Sequence, residues 1–190
     1  MNIDDLRKNM KSILSDSRYR HSVGTEEVCF DLALIYGEDT LKASIAGIIH
    51  DCARYLTGDE LIEECERNNI MISDVERKRP HLLLHSKLGA IYAKEKYGIM
   101  DEDILKAIEF HTTGRPAMSR LEKILYIADY IEPNRNMIQS IDYIREIAYQ
   151  DLDEAIRIIT KQTLEYLSSN INLIDPLTKE TYDYYVNQCK

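Results

Sequence analysis

Residues 40–56 read TLKASIAGIIHDCARYL, and this stretch decides the fold. Projected at about 100° per residue, Leu41, Ile45, Ile48, Ile49 and Cys52 share one face, and Ala43, Ala46, Gly47, His50, Ala53 and Arg54 the opposite one. The pattern predicts a helix over 39–56 whose second face carries no charge before His50. A helix that is apolar or small all round is buried all round. His50, Asp51 and Arg54 are therefore expected to project into the protein, with small neighbours leaving room beside them. A buried carboxylate requires a partner. Two readings are open here: a polar network of His50, Asp51 and Arg54, or a metal or phosphate site, since imidazole and carboxylate are both metal ligands.

Outward from this stretch the 3.6-residue period persists along the chain. It predicts further helices at 3–14, 18–36, 59–69, 81–97, 102–112, 119–132, 137–149, 151–169 and 178–188. Gly37 and Gly98 stand where helices should end, Pro80 suits a first helical position, and Asp101 and Ser119 suit N-caps. No segment alternates in the way a strand does. The expectation is an all-α, single-domain helical bundle over 1–190, with a core at about 18–135 and the helices of 137–190 packed on it. Only 7 Gly and 4 Pro in 190 residues agree with that.

The net charge of −9 argues against a general nucleic-acid binder. It leaves a phosphate substrate open, because arginines or a metal can invert the field within one cleft. Cys29, Cys52, Cys65 and Cys189 form no Cys-x-x-Cys pair, which fits buried thiols in a reducing cytoplasm. The N-terminal MNIDDLRKNMKSIL reads as an amphipathic helix with acids rather than a signal peptide. No apolar run reaches the roughly 18 residues that a membrane span needs.

The remaining histidines and one aspartate supply candidates. His111 shares a face with Ile104, Ala107 and Ile108 at a helix C-terminus, and His85 lies with Leu88 and Tyr92. His21 opens a helix whose inward face carries Val28, Leu32 and Ile35. His85 and His111, each taken alone, read more often as a hydrogen-bonded core histidine than as a ligand. His81 and His85 have H-x-x-x-H spacing, but Leu82 stands where a zinc protease needs glutamate, which excludes that class. Asp129 sits late in the apolar helix LEKILYIADYIEP, where a negative charge opposes the helix dipole and a cation would offset the cost.

The order His21, His50-Asp51, Asp129 resembles the H…HD…D signature of the HD-domain superfamily, all-α metal-dependent phosphohydrolases. His85 and His111 between them resemble the subset that holds two metals. The strings HLLLHSKLGA and HTTGRPAMSRLEKILYIADYIEPNR, and the tail LIDPLTKETYDYYV, are similar to the symmetrical bis(5′-nucleosyl)-tetraphosphatase family of HD domains over nearly the whole chain. Arg54 stands where that family often has lysine.

The resemblance implies cleavage of diadenosine tetraphosphate into two ADP, with iron as the expected metal and manganese, zinc or another divalent ion as substitutes. It implies that His21, His50, Asp51 and Asp129 hold one metal, and that Asp51, His85 and His111 hold a second. A hydroxide shared by the two metals would attack an inner phosphorus, with Asp51 and Arg54 as the catalytic pair. Arg18, Gly24, His81, Thr112, Arg115, Arg135, Asp175 and Pro176 are the expected substrate contacts, the last two within a loop from Asn172 to Thr178. The same ligands would serve a nucleotidase or dNTP phosphohydrolase of the superfamily, and a non-catalytic nucleotide-sensing domain is a further alternative. A homodimer is expected from the tyrosine-rich tail with Tyr182, Tyr184 and Tyr185; no nucleic acid or membrane partner is.

Overall fold

The structure, a computed structural model, describes residues 2–135, 140–170 and 173–188. Among these residues there are α-helices and no strands, as the periodicity predicts. The helices are α1 (Ile3–Ile13), α2 (Asp16–Tyr36), α3 (Thr40–Ile49), α4 (Gly58–Arg67), α5 (Asp74–Lys78), α6 (Pro80–Glu95), α7 (Glu102–Phe110), α8 (Arg120–Ile131), α9 (Ile141–Ala148), α10 (Leu152–Asn170) and α11 (Pro176–Gln188).

Helix α3 lies at the centre, packed on α1, α2, α7 and α8. The approach of α2 is the tightest: a Cβ at Gly47 would stand 2.7 Å from the Glu26 Cα, so only glycine permits this crossing. Ile48 and Ile49 of α3 are fully buried, with Leu32 of α2, Ile108 of α7 and Ile124 of α8 around them. Each such side chain contributes about 1.5–3 kcal/mol on burial, and together they offset the cost of enclosing a polar cluster at the end of α3. Helix α6 bridges α4 and α7, while α10 packs on α8, α9 and α11.

Local chemistry fixes the ends. The Asp101 carboxylate accepts the Asp103 and Ile104 amides at the start of α7. Ser119 and Glu122 form a reciprocal capping box on α8, Pro80 opens α6, and Gly37 ends α2 at φ +68°.

The structure differs from the sequence expectation in several places. α3 ends at Ile49, and His50 to Tyr55 form consecutive turns instead of continuing the helix. α5 was not anticipated, because its five residues are too short to display a period. Leu41 and Ile35, read as inward, are exposed. Tyr185 is buried and its hydroxyl accepts the Met118 amide, so the tyrosine-rich tail packs on its own core. Cys29, Cys52 and Cys65 are buried free thiols, while Cys189 and Asn172 lie outside the described residues.

Candidate metal centre

Two histidines are presented by the same local device. His50 caps α3 and its Nδ1 donates to the Gly47 carbonyl at 2.7 Å. His111 caps α7 and its Nδ1 donates to the Ile108 carbonyl, also at 2.7 Å. Fixing the proton on Nδ1 leaves a lone pair on Nε2 of each ring, the form in which imidazole binds metal. A helix end allows this because the last carbonyls have no amide partner within the helix. That is why the turn after Ile49 matters: inside a continuing helix the Gly47 carbonyl would be taken by an amide.

Asp51 follows His50 and is almost wholly buried. Its two oxygens face different histidine pairs. Oδ1 lies 3.3 Å from His85 Nε2 and 3.9 Å from His111 Nε2. Oδ2 lies 3.5 Å from His50 Nε2 and 3.9 Å from His21 Nε2. Asp129 closes the second side, its Oδ1 2.9 Å from His21 Nε2 and 3.8 Å from His50 Nε2. Helices α2, α6, α7 and α8 and the turn after α3 thus bring all six expected ligand residues to one point.

These donors fit a divalent cation. Ligands about 2.1 Å from a metal stand roughly 3.0–3.4 Å apart at octahedral to tetrahedral angles, which matches the shorter spacings here. The fully buried Nε2 atom of His50 has no hydrogen-bond partner, its nearest carboxylate oxygens standing 3.5 and 3.8 Å away. Leaving such an atom unsatisfied costs about 1–3 kcal/mol, a cost that a cation would remove. Compatible donor sets are His21, His50 and Asp129, and His50, Asp51 and His111.

The electrostatics agree. Burial pushes His50 down to about 4 despite Asp51 beside it, and burial likewise depresses His85 well below its ordinary value. Both are therefore neutral at pH 7, the state in which an imidazole can ligate a metal. Burial opposes ionisation of Asp51, but His50, His85 and Arg18 hold it well below the usual carboxylate range. His21 is the exception: burial lowers it, yet Asp129 and Glu132 raise it to about 9.

Glu132 is the functional residue that sequence reasoning missed. Its Oε1 accepts from His21 Nδ1 at 3.1 Å, and its Oε2 accepts from the Asn134 amide at 2.7 Å and from Asn134 Nδ2 at 2.8 Å. A carboxylate behind a ligating imidazole orients the ring and raises its basicity. The available signal was its position, one turn beyond Asp129.

One cleft opens on the cluster at His21, and a second adjoins it through Arg18 and Arg54. The first, about 530 Å³, is lined by Ser17, Arg18, Arg20, His21, Glu132, Asn134 and Arg135. The second, about 440 Å³, is lined by Ile13, Leu14, Ser15, Arg18, Arg54, Tyr55 and His81. Arg18 borders both and donates to Asp51 Oδ2 at 2.9 Å. Arg135 donates to Asp129 Oδ1 at 3.1 Å, and Arg54 Nη1 lies 3.4 Å from His85 Nδ1.

Other expected substrate contacts lie elsewhere. Arg115 is held bidentately by buried Glu122, at 2.6 and 2.8 Å, and braces the loop before α8. Thr112 hydrogen-bonds the Ser86 hydroxyl at 3.1 Å. Gly24 lies beneath the first cleft, where a Cβ would stand 2.6 Å from Glu132 Oε2. Asp175 accepts the Leu177 amide at the start of α11, and Pro176 is that helix's exposed first residue. These five residues are engaged in packing, capping or loop contacts and line neither cleft.

Comparison with known proteins bears on this geometry. The HD domain family model matches residues 18–134. A symmetrical bis(5′-nucleosyl)-tetraphosphatase of Halalkalibacterium halodurans is 41% identical over 178 residues, covering 92% of this chain and 91% of that protein. A Bacillus subtilis protein of the same name is 37% identical over 187 residues, covering 98% and 99%. The crystal structure of a protein from Clostridium acetobutylicum, described as a predicted HD superfamily hydrolase involved in NAD metabolism, superposes with a TM-score of 0.94 at 41% identity, covering 99% of this chain and 98% of that one. The matched segment begins at Arg18 and ends just past Asp129, so it spans all six converging ligand residues, and the chain belongs to the HD-domain family.

Proposed function

We propose that this chain is a metal-dependent hydrolase that cuts diadenosine tetraphosphate symmetrically into two ADP. The observation that carries the reading is Asp51, whose two oxygens face separate histidine pairs while Arg18, Arg54 and Arg135 surround the same point. The names of the relatives from H. halodurans and B. subtilis supply the substrate class.

His21, His50, Asp51 and Asp129 would hold one divalent metal, and Asp51, His85 and His111 a second. A metal bound there supplies Lewis acidity and lowers the pKa of water towards neutrality. The protein's own part is positional and electrostatic. The backbone bonds of His50 and His111 fix the tautomer that leaves Nε2 free. Glu132 holds the His21 ring, and burial keeps His50 and His85 neutral at pH 7. Arg18 and Arg135 pair with ligand carboxylates and also line the first cleft, where their remaining donors can meet phosphate oxygens. Cleavage expels ADP, whose terminal phosphate is a weak base, so charge neutralisation by arginine serves it better than a proton donor.

The imidazole and carboxylate donors, with no thiolate among them, support iron, with manganese or zinc as substitutes. Three buried free thiols support a reducing cytoplasm. Among the described residues no helix is long and apolar enough to cross a membrane. An exposed apolar stripe on α2, Phe30 and Leu34 one turn apart, supports a homodimer, which the mass in solution tests.

The deciding experiment measures metal content, then incubates the protein with diadenosine tetraphosphate, dNTPs and nucleoside monophosphates. ADP as sole product is expected, with activity lost in Asp51→Ala. ATP plus AMP, or turnover of dNTPs alone, would replace this reading with another nucleotidase of the same family. Nucleotide binding without any product would leave a sensing domain.

A further inference from the structure

Resting on the reading above, we infer that the cleft lined by Ile13, Leu14, Ser15, Arg54, Tyr55 and His81 is a second nucleoside subsite, so that the substrate lies across Arg18 with one nucleoside diphosphate half in each cleft.

A dinucleoside tetraphosphate carries two identical halves, and cutting it at the middle anhydride places one half on each side of the reacting centre. The protein has matching space on both sides. The clefts, about 530 and 440 Å³, each fall in the range of about 300–1,000 Å³ usual for small-molecule sites. Arg18 is their shared wall and touches Asp51, so the junction of the clefts coincides with the cluster.

The second cleft has the chemistry of a nucleoside diphosphate site. Arg54 lies at its inner end, half-buried, its Nη1 beside His85. Unlike Arg18 and Arg135, it forms no direct ion pair among the described residues; Asp51 and Asp129 attract it only from a distance, and a phosphate would give it a direct partner. Tyr55, 45% exposed, lines the same cleft with the aliphatic Ile13 and Leu14 and with His81. An aromatic ring in an aliphatic-lined cleft offers a stacking platform for a base, tolerant of base identity because every base has a π-face.

The test pairs two substrates. Adenosine 5′-tetraphosphate has one nucleoside and can place it in whichever cleft is intact; diadenosine tetraphosphate needs both. With the manganese-reconstituted protein, Tyr55→Ala is expected to weaken binding of a dinucleotide analogue, methylene-bridged between the two inner phosphates, by about tenfold in calorimetry. It should lower kcat/KM for diadenosine tetraphosphate similarly, while adenosine tetraphosphate loses at most about twofold and Tyr55→Phe retains both. His81→Ala, an exposed substitution, provides a second reading if Tyr55→Ala folds poorly. Equal losses on both substrates, or no loss on either, would overturn the subsite. A wild-type protein that binds the analogue with the expected Tyr55 dependence but cleaves nothing would keep the subsite and sink the hydrolase. A wild type that does not bind the analogue overturns both.

Discussion

Glu132→Gln separates a carboxylate that shapes the metal centre from one that merely fills space. The wild-type carboxylate accepts one bond from His21 Nδ1, at 3.1 Å, and two from Asn134, at 2.7 and 2.8 Å. In the variant the amide oxygen would stay with the two Asn134 donors, since two bonds outweigh one. The amide nitrogen would then face His21 Nδ1. Two donors cannot meet, so the His21 proton is driven to Nε2, the atom that must be bare to ligate. A lost hydrogen bond to a charged group costs about 1.5–3 kcal/mol, and loss of a partner behind a ligand typically lowers metal affinity or activity about 10–100-fold. Metal affinity by chelator competition should fall within that range. In the metal-free protein, the His21 titration followed by NMR should drop from about 9, because Glu132 is one of the two carboxylates that raise it. A purely structural role would lower the melting temperature and leave that titration in place. Metal affinity within about twofold of wild type, with the His21 titration unmoved, would refute the argument.

Four further outcomes are expected. Gly24→Ala forces a Cβ to 2.6 Å from Glu132 Oε2; overpacking of this kind costs about 1–3 kcal/mol, read as about 2–4 °C of melting temperature per kcal/mol for a chain of this size, and metal affinity should fall with it. Arg115→Ala leaves Glu122, 1% exposed, without its counter-charge; it should destabilise by about 1–3 kcal/mol while the KM for the dinucleotide stays near wild type, and a large rise in KM with unchanged stability would return Arg115 to the substrate site. The metal-free protein should lose stability on both sides of near-neutral pH. His21 is raised to about 9, so its contribution is complete below its unfolded pKa and is lost as pH rises through 9. His50 is lowered to about 4, so the unfolded chain takes up that proton first and stability falls as pH drops from about 6.5 towards 4. Apparent metal affinity should climb with pH up to about 9, as the His21 proton ceases to compete; a flat profile would contradict the assignment.

The sequence by itself determined the helical class and, through its resemblance to a known family, named the six residues expected as ligands. A 3.6-residue period is a local property, and so are the caps at Asp101, Ser119 and Gly37. The surroundings of His50-Asp51 were legible because a stretch with small residues on one face and Ile on the other has no face to give to water. The resemblance supplied the ligand reading of His21, His85, His111 and Asp129; for His85 and His111 periodicity alone favoured a core histidine. Only the tertiary structure decided the rest. That α3 stops at Ile49, freeing the Gly47 carbonyl for His50, depends on how the turn packs against its neighbours. Arg115 pairs with Glu122 because the loop between α7 and α8 folds back on itself, a distance that spacing does not encode. Glu132 behind His21, the two clefts on either side of Arg18, and the burial that sets one histidine near 9 and its neighbour near 4 all arise from residues remote in the chain. Periodicity reports which side of a helix faces inward; which groups it meets there is fixed only when the helices pack.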